Sequence, residues 1–294
     1  MSKQPYIGRF APSPSGNLHL GSLFTAVCSY LHARQHGGKW LVRIEDIDTP
    51  RCVPGADEAI LQALSAHGLV WDDSVTYQST QHAYYQRCLT TLADSIYACR
   101  CTRAKVRERN PHGHYDGYCR KRDYPVEGAA LRFYQGQTRV EFNDLLLGKI
   151  AIADPHNLDD FIVKRKDGLF AYNLVVVADD IRQQVSHIVR GADLLETTAS
   201  QLALYQAFAK PAPLYLHLPV LCTKPGFKLS KQNHAPPIQA AHAVENLHKV
   251  IRLLGARIPK QEDLSSVSAT LAWAIEHLSW NKWPRQREII VEMP

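Results

Sequence analysis

The chain has no apolar run long enough to cross a bilayer as a helix, for which about 18 or more residues are needed. Its first residues, Met-Ser-Lys-Gln-Pro, lack the apolar core of a signal peptide. It has no internal repeat and no low-complexity segment, which excludes solenoids and disordered arrays. No charge of one sign dominates. The 34 Lys and Arg residues stand against 28 Asp and Glu, and a net +6 permits a polyanionic partner without demanding one. These absences leave a cytoplasmic globular protein, with its seven cysteines expected to be reduced. The 294 residues allow one or two domains, and 45% hydrophobic residues suffice for a large core.

What is present starts with residues 9–22, Arg-Phe-Ala-Pro-Ser-Pro-Ser-Gly-Asn-Leu-His-Leu-Gly-Ser. Residues 6–10 read as a short buried strand. Pro12, Pro14 and Gly16 then force a shaped loop. Asn17 is the predicted N-cap of a helix over residues 18–32, where Leu20, Leu23, Phe24, Val27 and Leu31 recur at helical spacing. A helix N-terminus presents unpaired N–H groups and a positive dipole end, which suit phosphate. His19 adds a donor there, and Gly21 has no side chain to block approach. Taken alone, the stretch fits a tight turn before a core helix equally well.

Residues 39–44 read as a buried strand running into Glu45, Asp46 and Asp48. Open α/β sheets bind ligands beyond the carboxyl ends of their strands. Glu45 lies closest to that end and is the functional candidate, while Asp48 suits a helix cap. Helices are expected over 57–67, stopped by Gly68, and over 81–95. Strands are expected over 130–134 and 138–143 with Gly136 at the turn, then over 148–153 and 161–164. Asp167-Gly168 is a hairpin turn signal. The apolar run 169–178, ending in Asp179-Asp180, reads as a central parallel strand. Tyr172 and Asn173 are polar within it and need partners or a ligand. A strand over 185–189 leads to Arg190, whose guanidinium suits a carboxylate. A helix over 199–208 and a strand over 215–221 precede a basic loop, residues 223–232, in which Lys228, Ser230 and Lys231 suit polyphosphate. A lysine-rich surface turn is the commoner fate of such a loop. Pro236-Pro237 marks a boundary before two amphipathic helices, 238–254 and 265–278.

Cys99, Cys101 and Cys119 fall in one window, whereas Cys28, Cys52, Cys88 and Cys222 are scattered. A reduced Cys-x-Cys followed by a third cysteine resembles a zinc knuckle, which needs a fourth ligand. His112, His114 and Tyr115 are the candidates, and generic chemistry puts His114 first. The same window holds eight Lys and Arg residues between Arg100 and Arg122. Pinned by a metal, such a face can grip a phosphate backbone.

His19-Leu20-Gly21-Ser22 resembles the HIGH motif of class I aminoacyl-tRNA synthetases, and Lys228-Leu229-Ser230-Lys231-Gln232 resembles their KMSKS motif. Residues 9–16, 43–48 and 189–195 are similar to the corresponding segments of glutamyl-tRNA synthetases. The resemblance covers residues 6–232. The chain stops soon after the KMSKS-like loop, without room for an anticodon-binding region. In that respect, and in its compact cysteine window, it resembles the glutamyl-Q tRNA(Asp) synthetase family, a paralogue of the catalytic half alone.

This resemblance implies an α/β fold: a class I Rossmann-like parallel sheet, split by a small zinc-bearing insertion and followed by a C-terminal helical appendage. The expected divisions are 1–96, 97–160, 161–233 and 234–294. It implies activation of L-glutamate with ATP and Mg²⁺, then transfer to queuosine at the wobble position of tRNA(Asp), by a monomer. It assigns Arg9, Phe10, Ala11, Pro12, Ser13, Glu45, Tyr172 and Arg190 to glutamate. It assigns His19, Gly21, Ser230 and Lys231 to ATP, with His19, Lys231 and, more weakly, Lys228 as catalytic groups. One structural zinc on Cys99, Cys101, Tyr115 and Cys119 is also implied, with Tyr115 in place of the generic choice His114. Rival readings are a truncated glutamyl-tRNA synthetase charging tRNA(Glu), a non-catalytic tRNA-binding paralogue, and a small nucleotidyltransferase that shares the HIGH-type loop.

Overall fold

Strands β1 (Ile7–Phe10) and β2 (Lys39–Ile44) pair in parallel across helix α1 (Leu20–Gln35), the crossover that parallel pairing requires. The computed structural model describes residues 5–155, 158–229, 235–259 and 264–292. Helix α2 (Ala56–Ala66) leads to β3 (Thr76–Tyr77), which extends this sheet beside β2, and α3 (His82–Thr91) follows. Then come β4 (Ile96–Cys99), α4 (Arg103–Arg109), β5 (Ala130–Phe133), β6 (Val140–Asp144), β7 (Gly148–Ile152) and β8 (Phe161–Lys164). The chain continues through α5 (Tyr172–Arg182), β9 (His187–Gly191), α6 (Thr198–Ala207) and β10 (Leu214–Leu218). It ends with β11 (Val220–Lys224), β12 (Phe227–Lys228), α7 (Ala243–Leu253), α8 (Val267–His277) and β13 (Glu288–Ile290).

A second sheet has the order β7-β6-β10-β9, parallel except for the β7 edge. It meets the first where Ser186 N donates to Ile7 O at 2.9 Å, so β1 and β9 run side by side. The strands on either side of Gly136 do not form a hairpin with each other. β5 pairs with β4 and β8 in a separate antiparallel sheet, while β6 joins the parallel one. That antiparallel sheet carries the cysteine window.

Residues 169–178, expected as a central strand, form most of helix α5 instead. Every residue from Leu174 to Asp180 is buried, so no polar face reveals the helical period, and Val175-Val176-Val177 mimics a strand. Tertiary packing against Tyr85, Phe133 and Leu204 overrides that β-branched preference. The expected N-cap Asn17 is also displaced. His19 caps α1 from an extended backbone, because Ile238 N bonds Leu18 O at 2.9 Å and His19 bridges to Pro237, holding the chain straight until Leu20.

Helix α1 is enclosed on nearly all sides, with Leu23, Phe24, Val27 and Leu31 in the main apolar core. Leu247, Val250 and Ile251 of α7 and Leu271 and Ala274 of α8 belong to that same core. Gln35 Nε2 donates to Ile275 O at 3.1 Å and Leu278 O at 2.5 Å. The C-terminal helices therefore wall the core rather than hang from it. Among the described residues no helix is long and apolar enough to cross a membrane.

Candidate active site

A cavity of about 590 Å³ opens where β1, β2 and β9 end. Arg9, Phe10, Ala11, Pro12, Ser13, His19, Gly21, Glu45, Tyr172, Arg190 and Lys228 all line it. Ser230 and Lys231 lie outside the described residues. A second cavity of about 680 Å³ shares Ser13, Ser15, Glu45 and Tyr172 with the first and continues toward Asp48, Arg51, Arg165 and Phe170.

The loop after β1 is fastened to the end of β2. Glu45 N donates to Pro12 O at 2.9 Å, and Val53 N donates to Pro14 O at 2.8 Å. Gly16 sits at φ 128°, a backbone that favours glycine, and lets the loop turn into α1. At the α1 N-terminus the His19 side chain accepts from Ser22 N at 3.3 Å, and its other ring nitrogen lies 3.1 Å from Ser22 Oγ. Gly21 allows a close approach. A Cβ there would lie 3.1 Å from the His19 ring and 3.4 Å from Leu229 O. Leu229 itself is buried and bonds Leu221 O through its N–H at 2.7 Å, so the start of the KMSKS-like segment packs on the HIGH-like turn. Lys228 Nζ forms an ion pair with Asp193.

The glutamate-type residues rest on a buried charge cluster. Arg9 Nε and Nη2 donate to the two Asp180 oxygens at 3.1 and 3.4 Å. Arg43 Nη1 reaches Asp180 Oδ1 at 2.7 Å, and its Nη2 reaches Glu45 Oε1 at 3.3 Å. Asp179 accepts from Tyr85 Oη at 2.8 Å and Gln78 Nε2 at 3.1 Å. Burial works against ionisation of Asp180, but Arg43 and Arg9 together hold its carboxyl below the ordinary range. Burial pushes the Glu45 carboxyl up, against the pull of Arg43 and Arg9.

Arg190 differs from Arg9 and Arg43. No described carboxylate forms an ion pair with it. Its Nε donates to His217 Nε2 at 3.1 Å, Nη1 to Gln201 Oε1 at 2.7 Å, and Nη2 to Thr198 Oγ1 at 2.8 Å and Leu194 O at 3.2 Å. A buried cation held by neutral acceptors on the cavity wall is poised for an anion from outside.

Of the three carboxylates after β2, Glu45 alone lines the first cavity. Asp46 accepts from Ser79 N at 2.8 Å and Ser79 Oγ at 2.5 Å, a structural tie. Asp48 pairs with Arg51 at 3.2 Å and Arg165 at 3.3 Å on the rim of the second cavity. Arg43, Asp179 and Asp180 escaped the sequence reading as a unit. The available signal was an arginine inside an apolar strand and an Asp-Asp pair closing an apolar run, since buried charges of opposite sign require each other.

Beside the antiparallel sheet, Cys99, Cys101 and Cys119 place their sulfurs within 4.8 Å of one another, and none is in a disulfide. Cys101 Sγ and Cys119 Sγ are 3.5 Å apart. Tyr115 Oη lies 3.6 Å from Cys99 Sγ. Ligands about 2.3 Å from a tetrahedral zinc stand roughly 3.8 Å from each other, so this donor set fits the ion. Neither His112 nor His114 joins the group among the described residues. Arg132 Nε donates to Cys99 Sγ at 3.3 Å and Arg109 Nη2 to Cys101 Sγ at 3.4 Å, as supporting donors do around metal-bound thiolates. Burial pushes the Tyr115 phenol far up.

Comparison with known proteins agrees with this geometry. A family model described as tRNA synthetases class I (E and Q), catalytic domain, matches residues 7–267. The glutamyl-Q tRNA(Asp) synthetase of Yersinia pseudotuberculosis is 49% identical over 286 residues, covering 97% of this chain and 86% of its own. That of Shewanella amazonensis is 46% identical over 294 residues, covering 99% of each chain. Among solved structures, the glutamate-tRNA synthetase of Elizabethkingia anophelis superposes with a TM-score of 0.80 at 25% identity, over 96% of this chain and 67% of that one. The parallel sheet, the cysteine-bearing insertion and the C-terminal helices are those of the class I synthetase catalytic fold, and the chain belongs to the glutamyl-Q tRNA(Asp) synthetase family.

Proposed function

We propose that this protein activates L-glutamate with ATP and transfers it to queuosine in the anticodon of tRNA(Asp). The observation that carries the activation step is a single cavity in which Arg190, Glu45 and Tyr172 meet the His19 turn. Arg190 takes a carboxylate of glutamate, since its described partners are all neutral. Glu45 takes the ammonium, whose charge offsets the burial that disfavours the Glu45 carboxylate. Arg9, fastened by Asp180, adds positive potential to the same cavity. The likeness to the two relatives carries the choice of acceptor.

ATP lies with its phosphates at the α1 N-terminus, where His19 and the first N–H groups face negative charge. Mg²⁺ accompanies it as part of the substrate. An α-carboxylate oxygen of glutamate attacks the α-phosphorus in line. The P–O bond to pyrophosphate breaks, giving glutamyl-adenylate. His19 and Lys231 stabilise the charge developing on the phosphate oxygens. Lys228, paired with Asp193 at the edge of the cavity, is the weaker candidate for the same role. A hydroxyl of the queuosine cyclopentenediol then attacks the activated carbonyl carbon. AMP leaves, an ester forms and the hydroxyl proton is released. Positioning and a good leaving group carry this second step.

Zinc is assigned to Cys99, Cys101, Tyr115 and Cys119, where it would pin the insertion and supply no chemistry to the reaction. The basic helix α4 between the first two and last two ligands would then present its cations to the RNA backbone.

The test is labelling with radioactive glutamate and ATP in the presence of tRNA from cells with and without queuosine. Label confined to queuosine-containing tRNA(Asp) is expected. Equal labelling of both pools, or labelling of tRNA(Glu), would overturn the acceptor. Lys231→Ala is expected to abolish glutamate-dependent pyrophosphate exchange, and unchanged exchange would overturn the ATP assignment.

A further inference from the structure

Arg190 lines the cavity, but the residues that aim it lie one layer deeper. In the parallel pair β9–β10, Arg190 stands opposite His217, and β6 on the far side of β10 ends at Asp144. Neither Asp144 nor His217 lines the cavity, and both are buried. Asp144 is held by four donors. Its Oδ2 accepts from His217 Nδ1 at 2.7 Å and His217 N at 3.0 Å, and its Oδ1 accepts from Leu146 N at 3.0 Å and Leu147 N at 2.8 Å. A carboxylate fixed in this way places the His217 proton on Nδ1. Nε2 then carries a lone pair, and that lone pair receives Arg190 Nε–H at 3.1 Å. Burial, with the nearby Arg190 cation, lowers the His217 imidazole against the pull of Asp144.

We propose that Asp144 and His217 are positioning residues for substrate binding: Asp144 fixes the tautomer of His217, and His217 fixes the guanidinium plane of Arg190. Thr198, Gln201 and the Leu194 carbonyl hold the other side of that plane. An arginine has five N–H groups, and the four bonds described leave one on Nη1 for the ligand. Precise placement of that last donor is what a bound carboxylate senses. The inference rests on reading the cavity as the glutamate site.

Three variants separate positioning from folding. His217→Asn keeps a donor near Asp144 but is too short to reach Arg190. His217→Gln and His217→Met share length and volume, and only Gln offers Arg190 an acceptor. The measurement is ATP–pyrophosphate exchange at varied glutamate and varied ATP, with melting curves alongside. His217→Asn and His217→Met are expected to raise the glutamate KM about tenfold, the scale of one hydrogen bond to a charged group, with the ATP KM and kcat little changed. His217→Gln is expected to restore most of that loss. If His217→Asn does not fold, the Met–Gln comparison decides. A Met variant matching Gln in glutamate KM, or variants that shift both KM values and kcat together with melting temperature, would overturn the positioning role. Absence of glutamate-dependent exchange in the unmodified protein would instead remove the underlying site assignment.

Discussion

Asp180 is the carboxylate on which two buried arginines converge, at 3.1 Å from Arg9 and 2.7 Å from Arg43. Removing its charge leaves buried Arg9 without its carboxylate partner and Arg43 with only Glu45 and the more distant Asp179. Asp180→Asn is therefore expected to cost about 3–5 kcal/mol of folding stability, read from denaturant unfolding. Arg190 answers to a different balance. Its described partners are neutral, so Arg190→Met removes a cation without stranding a carboxylate. That variant is expected to lose glutamate-dependent pyrophosphate exchange by at least about a hundredfold, while its melting temperature moves far less than that of Asp180→Asn. The contrast separates a charge that supports the fold from one that serves the ligand.

The α1 N-terminus works as a unit with the loop that faces it. Gly21 lets the His19 ring and Leu229 O approach to distances that a Cβ would contest. Gly21→Ala would push the His19 ring by a few tenths of an ångström against Ser22. It is expected to lower pyrophosphate exchange about tenfold through the ATP-dependent step, with the glutamate KM unchanged. The cysteine-bearing element makes a separate prediction. Metal analysis of purified protein is expected to find about one zinc per chain, and Cys119→Ser to lose it. A strong chelator is expected to make Cys99, Cys101 and Cys119 reactive to thiol reagents while Cys28, buried in the main core, stays protected. Absence of metal from reduced protein would refute the site.

Across the whole molecule, the two halves and the C-terminal helices meet around aromatic and histidine rings. Tyr6 Oη lies 2.7 Å from His32 Nδ1, Tyr6 stacks on His187 at 4.1 Å, and Trp280 lies edge-on to His32 at 5.3 Å. Burial, with smaller contributions from His36 and His187, lowers His32 to about 3, and burial lowers His187 to about 4. An unfolded histidine takes up its proton near pH 6.5, whereas these do not while folded. The unfolded state thus binds more protons as pH falls from 6.5 toward 4, and stability declines across that window. For His32, about 2 kcal/mol is expected to be lost between pH 6.5 and 5, and His32→Gln should flatten that slope in denaturant titrations. Much of this architecture was legible in residue order. The HIGH-like turn, the strand running into Glu45, the arginine near the end of β9 and the cysteine window each follow from local spacing, because caps, turns and short strands are set by neighbouring residues. Helix α5 was not legible, since a run buried on every side carries no period. The Arg9–Asp180–Arg43 cluster and the Asp144–His217–Arg190 chain join residues far apart in sequence. The sequence by itself determined which chemistry this chain carries. Tertiary packing alone decided which of its charges neutralise one another in the interior and which remain for a ligand, because burial and pairing are properties of contacts rather than of order.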